Sequence, residues 1–112
     1  MSFMTVDMAL NKLVEGILEI YGESVERIVL YGSTARGTNT PESDIDIAVM
    51  LRSAPTKSMN DQLLDLAVDL ELDCGRVLSV IKIDYPRYLE WQDTLPFYRN
   101  IDREGVILWQ AA

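Results

Sequence analysis

Residues Leu30–Val49 read LYGSTARGTNTPESDIDIAV, and the rest of the chain is organised around them. The stretch is entered through Ile28-Val29-Leu30-Tyr31, a short apolar run, partly β-branched and bounded by glycine, which predicts a buried strand ending at Gly32. Ser33 to Arg36 then reads as a helical turn stopped by Gly37. A glycine lets backbone approach a ligand closely, and free N–H groups at a helix start carry partial positive charge, so this corner is suited to a phosphate. Ser33 adds a hydroxyl donor and Arg36 a fixed cation, which makes Gly32, Ser33 and Arg36 the candidate phosphate-binding residues.

Thr38 to Ser43, with Asn39, Pro41 and Ser43, has the composition of a turn and leads to a second strand from Asp44 to about Leu51. Side chains alternate along a strand, so Asp44 and Asp46 share one face while Ile45, Ile47 and Val49 share the other. Two like charges on one face repel, and aspartate is depleted from strands, so the pair is costly for a purely structural strand. A divalent cation removes the conflict. Hard oxygens at this spacing suit Mg²⁺, which binds through one or two carboxylates together with the phosphates of a nucleotide.

Outward from this stretch the chain alternates helical and extended patterns. Val6, Ala9, Leu10, Leu13, Val14, Ile17 and Leu18 predict an amphipathic helix over Thr5 to Ile20, capped by Thr5 and followed by Gly22. Ser58 to Asp73 predicts a second helix, capped by Ser58 and stopped by Gly75; Leu64, Val68 and Leu72 widen its apolar face, so that it must cover a sheet or meet another chain. Arg76 to Ile83 reads as a third strand buried in a mixed sheet. A helical segment from Tyr85 to about Asp93, a short helix from Phe97 to Glu104 ended by Gly105, and an apolar edge strand over Val106 to Trp109 complete the pattern. The expected fold class is α/β (α+β), a small mixed sheet flanked by helices, in one domain spanning residues 1–112.

Bulk properties exclude several functions. No stretch approaches the roughly 20 apolar residues of a membrane span, and Met1-Ser2-Phe3-Met4 lacks a basic region followed by an apolar signal core, which gives a cytoplasmic reading. The single cysteine, Cys74, forms no intramolecular disulfide, and the absence of histidine excludes histidine-ligated zinc and a histidine base within the chain. A net charge of −8 argues against a direct nucleic-acid groove and suits a basic protein partner or simple solubility. Arg87, Tyr88, Trp91, Tyr98, Arg99 and Trp109 gather aromatics and cations near the C-terminus, a composition that fits core and rim better than base stacking.

The spacing Gly32-Ser33, ten residues, Asp44-Ile45-Asp46 resembles the signature of the DNA polymerase β-like nucleotidyltransferase superfamily, and GSTARGTNTPESDIDIAV in so short a chain looks like its minimal nucleotidyltransferase (MNT) branch. The resemblance implies a Gly-Ser corner gripping a triphosphate and Asp44 and Asp46 holding Mg²⁺ while a nucleoside monophosphate, AMP from ATP, passes to a hydroxyl acceptor. It also implies a HEPN-domain partner, a ribonuclease toxin whose tyrosine accepts AMP from an MntA-like antitoxin. The family's third carboxylate, expected on the strand after the second long helix, is missing: Val77 to Lys82 holds no acid, Ser79 stands where the aspartate would fall, and Asp73 and Asp84 only flank the strand. An antitoxin that masks its partner with weak or lost chemistry is therefore the alternative. A small-molecule (aminoglycoside-type) transferase is the third reading, for which a homodimer would have to supply the missing wall.

Overall fold

The computed structural model describes residues 4–38, 40 and 42–112; Met1, Ser2 and Phe3, and Asn39 and Pro41 of the expected turn, lie outside the described residues. Helix α1 (Val6–Tyr21) starts where Thr5 Oγ1 accepts the Met8 N–H at 3.2 Å and stops at Gly22, whose φ of +58° only glycine adopts easily. A 3₁₀ turn (Gly22–Ser24) leads to β1 (Val25–Tyr31), the five-residue helix α2 (Gly32–Arg36) and β2 (Ile45–Leu51). Then come α3 (Lys57–Cys74), β3 (Leu78–Asp84), α4 (Tyr85–Trp91), α5 (Pro96–Glu104) and β4 (Val106–Gln110). Among the described residues no helix is long and apolar enough to cross a membrane.

The four strands lie in the order β3-β2-β1-β4, with β2 and β3 parallel and the other pairs antiparallel, so the sheet is mixed as expected. Side-chain alternation divides the core in two. Ile28 and Leu30 of β1 and Ile45, Ile47 and Val49 of β2 pack with Leu10, Leu13 and Ile17 of α1 and Leu63 and Leu70 of α3. On the opposite face Val29, Ala48, Met50 and Ile83 meet Tyr88 of α4 and Ile101 of α5. Asp46 alternates with Ile45 and Ile47 and therefore belongs to the face that carries α4 and α5.

Several boundaries differ from the expected ones. β1 begins at Val25, three residues early, because a register shift sets Glu26 outside the ladder while Val25 and Arg27 pair with Leu51 and Met50 of β2. α3 is capped by Thr56, whose Oγ1 accepts the Met59 N–H at 3.2 Å; Ser58 lies inside the helix and its Oγ receives Gln62 Nε2 at 3.4 Å. β3 is an edge strand with Lys82 and Asp84 exposed, not a buried one, because only β2 pairs with it.

The wide face of α3 is used only in part. Leu63 is buried at 4% exposure, together with Ala67, Leu70 and Cys74, whereas Leu64 at 62% faces solvent with Val68 and Leu72. These adjacent leucines provide a direct check. Leu63→Ala should cost about 2–5 kcal/mol in urea unfolding, while Leu64→Ala should stay within about 0.5 kcal/mol of the wild type, both with an unchanged denaturant slope.

Candidate active site

The end of β1 and the start of β2 make the site. Tyr31 is the register partner of Asp46, and the chain turns at Gly32 directly into α2. Gly32 has φ +74°, and a Cβ built there would fall inside the van der Waals radius of Asp46 Oδ2. Glycine is thus required twice, by the backbone conformation and by the carboxylate that occupies the space of its missing side chain. Gly37 ends α2 in the left-handed conformation, φ +75°, and the Thr38 N–H bonds the Ser33 carbonyl at 3.0 Å.

Ser33 is not a cap. The residue before α2 is Tyr31, which makes no side-chain capping bond, and Ser33 sits in the first turn of the helix with its hydroxyl free of protein hydrogen bonds among the described residues. Gly32 likewise opens α2 instead of closing β1. Arg36 reaches away from the corner to Glu104 of α5, Nη1 to Oε2 3.1 Å, at a partly exposed position where such a pair contributes little energy. Its charge is still felt at Asp46.

β2 starts at Ile45, so Asp44 lies one residue before the strand. β1 has already turned into α2 at that level, and the ladder to β3 opens with Ile45 N–H donating to the Val77 carbonyl at 2.9 Å. The two acids nonetheless interact. Burial first, and then the Asp44 charge, push the Asp46 carboxyl above the ordinary carboxylate range, while Arg36 pulls it part of the way back. Burial and the Asp46 charge likewise raise Tyr31. Among the described residues neither Asp44 nor Asp46 has an ion-pair partner.

The parallel register sets Ser79 beside Asp46 on the same face. Asp84 does not replace the missing acid. Asp84 pairs with Leu51, five residues further along β2, or about 17 Å at the rise of a strand, and its side chain caps α4 by accepting the Arg87 N–H. Among the described residues no group of three or more acidic, cysteine or histidine side chains could enclose a metal. A pair of hard, mutually repelling and unpaired carboxylates still fits Mg²⁺, which keeps several waters and needs only one or two protein oxygens.

Residues that sequence patterns miss complete the surroundings. Arg76 Nη2 donates to the carbonyls of Thr40 at 3.2 Å and Ser43 at 2.9 Å and so ties down the loop that delivers Asp44. Between α2 and α5 lies a recess of about 230 Å³ that includes Tyr31, Gly32 and Phe97. No local signal marks either feature, because each joins segments more than thirty residues apart.

The sequence model of the family described as "Nucleotidyltransferase domain" matches residues 10–105. Two proteins of Methanocaldococcus jannaschii, each bearing the name "Putative protein adenylyltransferase", are 30% identical over 106 residues, 95% of this chain and all of the relative, and 26% identical over 78 residues, 70% of this chain and 79% of the relative. A chain of a toxin–antitoxin crystal structure with AMP-PNP superposes with a TM-score of 0.60 at 21% identity, covering 91% of this chain and 73% of that one. A chain from the complex of tri-AMPylated Shewanella oneidensis HEPN toxin with MNT antitoxin gives 0.55 at 18% identity, covering 94% and 72%. At these identities the structural likeness speaks for the fold, and it agrees with the expected mixed sheet and helices.

The electrostatics of Asp46 lead to a test. A carboxyl raised in the folded state binds its proton more tightly than in the unfolded chain, so stability falls as pH rises from the ordinary carboxylate value through the raised one. Above that window Asp46→Asn should be as stable as the wild type or slightly more so, by less than about 1 kcal/mol given the solvent screening at a half-exposed site. Mg²⁺ at tenfold its Kd should add about 1.4 kcal/mol to the wild type. Thermal melts with and without Mg²⁺ should show most of that increment lost in Asp46→Asn.

Proposed function

The chain belongs to the nucleotidyltransferase domain family, and from that membership we propose that it moves AMP from ATP to a tyrosine hydroxyl of a HEPN-domain partner, acting as the antitoxin of a toxin–antitoxin pair. The observation that carries the reading is the contact of Gly32 with the Asp46 carboxylate, which makes the phosphate corner and the acid pair one continuous surface. The adenylyltransferase names of both Methanocaldococcus jannaschii relatives support the reaction class. Fold neighbours drawn from toxin–antitoxin complexes, one with AMP-PNP and one with an AMPylated HEPN toxin, support the nucleotide and the partner.

In this reading the N–H groups of Gly32 and Ser33, with the Ser33 hydroxyl, hold the β- and γ-phosphates, while Arg36, engaged by Glu104, adds only a longer-range positive charge. Asp44 and Asp46 hold Mg²⁺, which when bound supplies Lewis-acid charge and orientation at the α-phosphate. The acceptor oxygen forms a bond to the α-phosphorus, the bond to the β-phosphate oxygen breaks, pyrophosphate departs with that electron pair, and the hydroxyl proton passes to solvent. Ser79 offers no carboxylate to receive it, so the rate rests on positioning and electrostatics without the roughly 10²–10⁴-fold of a general base. The net charge of −8 and the exposed Leu64, Leu72 and Ile107 suit a basic protein partner.

Ser79 beside Asp46 specifically favours a second reading, an antitoxin that neutralises its partner by covering it while transfer is weak or lost. Incubation with α-labelled ATP, Mg²⁺ and the product of the adjacent gene separates the two. The first reading predicts label on a partner tyrosine, abolished in Asp44→Ala/Asp46→Ala with the fold retained; neutralisation without label, persisting in that double variant, establishes masking. Within the first reading, Ser79→Asp should speed labelling by about tenfold or more by adding a basic oxygen at the acceptor, whereas Ser79→Ala should leave it unchanged.

A further inference from the structure

We propose that the recess between α2 and α5 is the seat of the nucleotide's base, a planar heteroaromatic ring laid against the open part of Phe97 and read along one edge by the Asn100 amide. The proposal rests on the nucleotide-transfer reading and adds to it a ligand subsite on α5, an element that the Gly-Ser and Asp-x-Asp pattern does not touch.

Size and position agree. At about 230 Å³ the recess is smaller than the roughly 300–1,000 Å³ of a site for a whole drug-sized ligand, so it takes one ring system and leaves the rest of the molecule outside. What lies outside is the phosphate corner. Gly32 walls the recess on one side and touches the Asp46 carboxylate on the other, and Tyr31, also in its wall, is the strand partner of Asp46. One strand spacing, about 4.8 Å, therefore separates the recess wall from the acid pair.

The lining selects a neutral ring with a hydrogen-bonding edge. Tyr31 and Phe97 meet edge to face, with centroids 5.7 Å apart, and Phe97 is 44% exposed, so part of its ring is open to stacking. Ile101, almost fully buried, lies against the same recess. Asn100 offers both a donor and an acceptor, and its side chain makes no hydrogen bond among the described residues. At the rim Arg36 and Glu104 cancel each other's charge, which disfavours a second phosphate there and leaves the recess to an uncharged group.

A larger cavity, about 700 Å³ and lined by Leu18, Val25, Arg52 and Trp109, sits at the start of β1 and the end of β2. Six residues of β1 separate Val25 from Tyr31, about 20 Å, beyond a base whose phosphates are held at Gly32. The aromatic cluster around Tyr88 is closed, with Tyr88 buried at 2% exposure.

The test compares ATP with inorganic tripolyphosphate, which has the phosphates and no base, by titration calorimetry in Mg²⁺. Phe97→Ala and Asn100→Ala are both changes at exposed positions of α5, and melting curves check that each folds. Phe97→Ala should weaken ATP by roughly fivefold or more, the lower end of what stacking on one base contributes. Asn100→Ala should also weaken ATP, and tripolyphosphate should bind all three proteins alike. ATP affinity unchanged in both variants, or ATP and tripolyphosphate weakened in parallel, overturns the base seat. A raised KM for the protein acceptor with ATP binding intact also overturns it and assigns the recess to the acceptor ring. Wild-type protein that binds neither ATP nor tripolyphosphate would instead remove the nucleotide-transfer reading beneath it.

Discussion

The space at Gly32 is claimed by the Asp46 carboxylate, and much of the local structure follows from that one steric fact. A side chain at position 32 would displace the Asp46 carboxylate from the place it holds beside the end of β1, where Tyr31 and Asp46 are paired. It would also oppose the positive φ by which the chain leaves the sheet and enters α2 at once. The same contact half-buries Asp46 next to Asp44, and burial together with the like charge disfavours the ionised acid. The corner thus joins a positive-φ glycine turn to an acid whose ionised form is disfavoured, a combination that marks a binding site more often than a scaffold.

The remainder of the fold holds that corner still. α1 and α3 seal one face of the sheet with an aliphatic core, so that Ile45, Ile47 and Val49 fix β2 from behind while Asp46 faces the other way. On that other face Tyr88 donates to Asp102 of α5 and receives Arg27 Nη1 of β1 at 3.4 Å, with the Arg27 guanidinium 5.8 Å from its ring centroid. Burial and the bond to Asp102 push the Tyr88 hydroxyl up to about 12 despite Arg27, so it remains a neutral donor throughout the physiological range. This cluster joins α4 and α5 to β1, and it decides where the wall of the recess stands.

Legibility in the sequence tracked the range of the interactions concerned. Thr5, Gly22, Gly37, Gly75 and the apolar spacing of α1 act over one or two turns, and each forms the boundary that its residue type implies. Errors of a residue or two arose where a distant partner decides. Asp44 falls outside β2 because β1 has already turned away, and β3 is an edge because no later strand reaches it. Thr56 takes the cap of α3 although Ser58 is an equally good capping residue type. The acid pair and the glycine corner were readable because chain order and strand alternation bring them together. Phe97, Asn100 and Arg76 were not, since packing of α5 and a loop clamp carry them there from thirty or more residues away.

The serine at position 79 sets the balance between stability and chemistry at this site. A carboxylate there would lie one strand spacing from Asp46, and two unit charges about 5 Å apart repel by roughly 1–3 kcal/mol as the effective dielectric falls from that of water to that near a protein surface. Among the described residues the only counter-charge with a felt effect on Asp46 is Arg36, which Glu104 already engages. With two acids the site bears one such repulsion; with three it would bear more than one, against a net stability of only about 5–15 kcal/mol for a typical domain. Ser79 therefore relieves the folded state in the absence of metal and removes a base from the reaction. In the proposed reaction the same residue leaves the chemistry to depend on how well the acceptor is held.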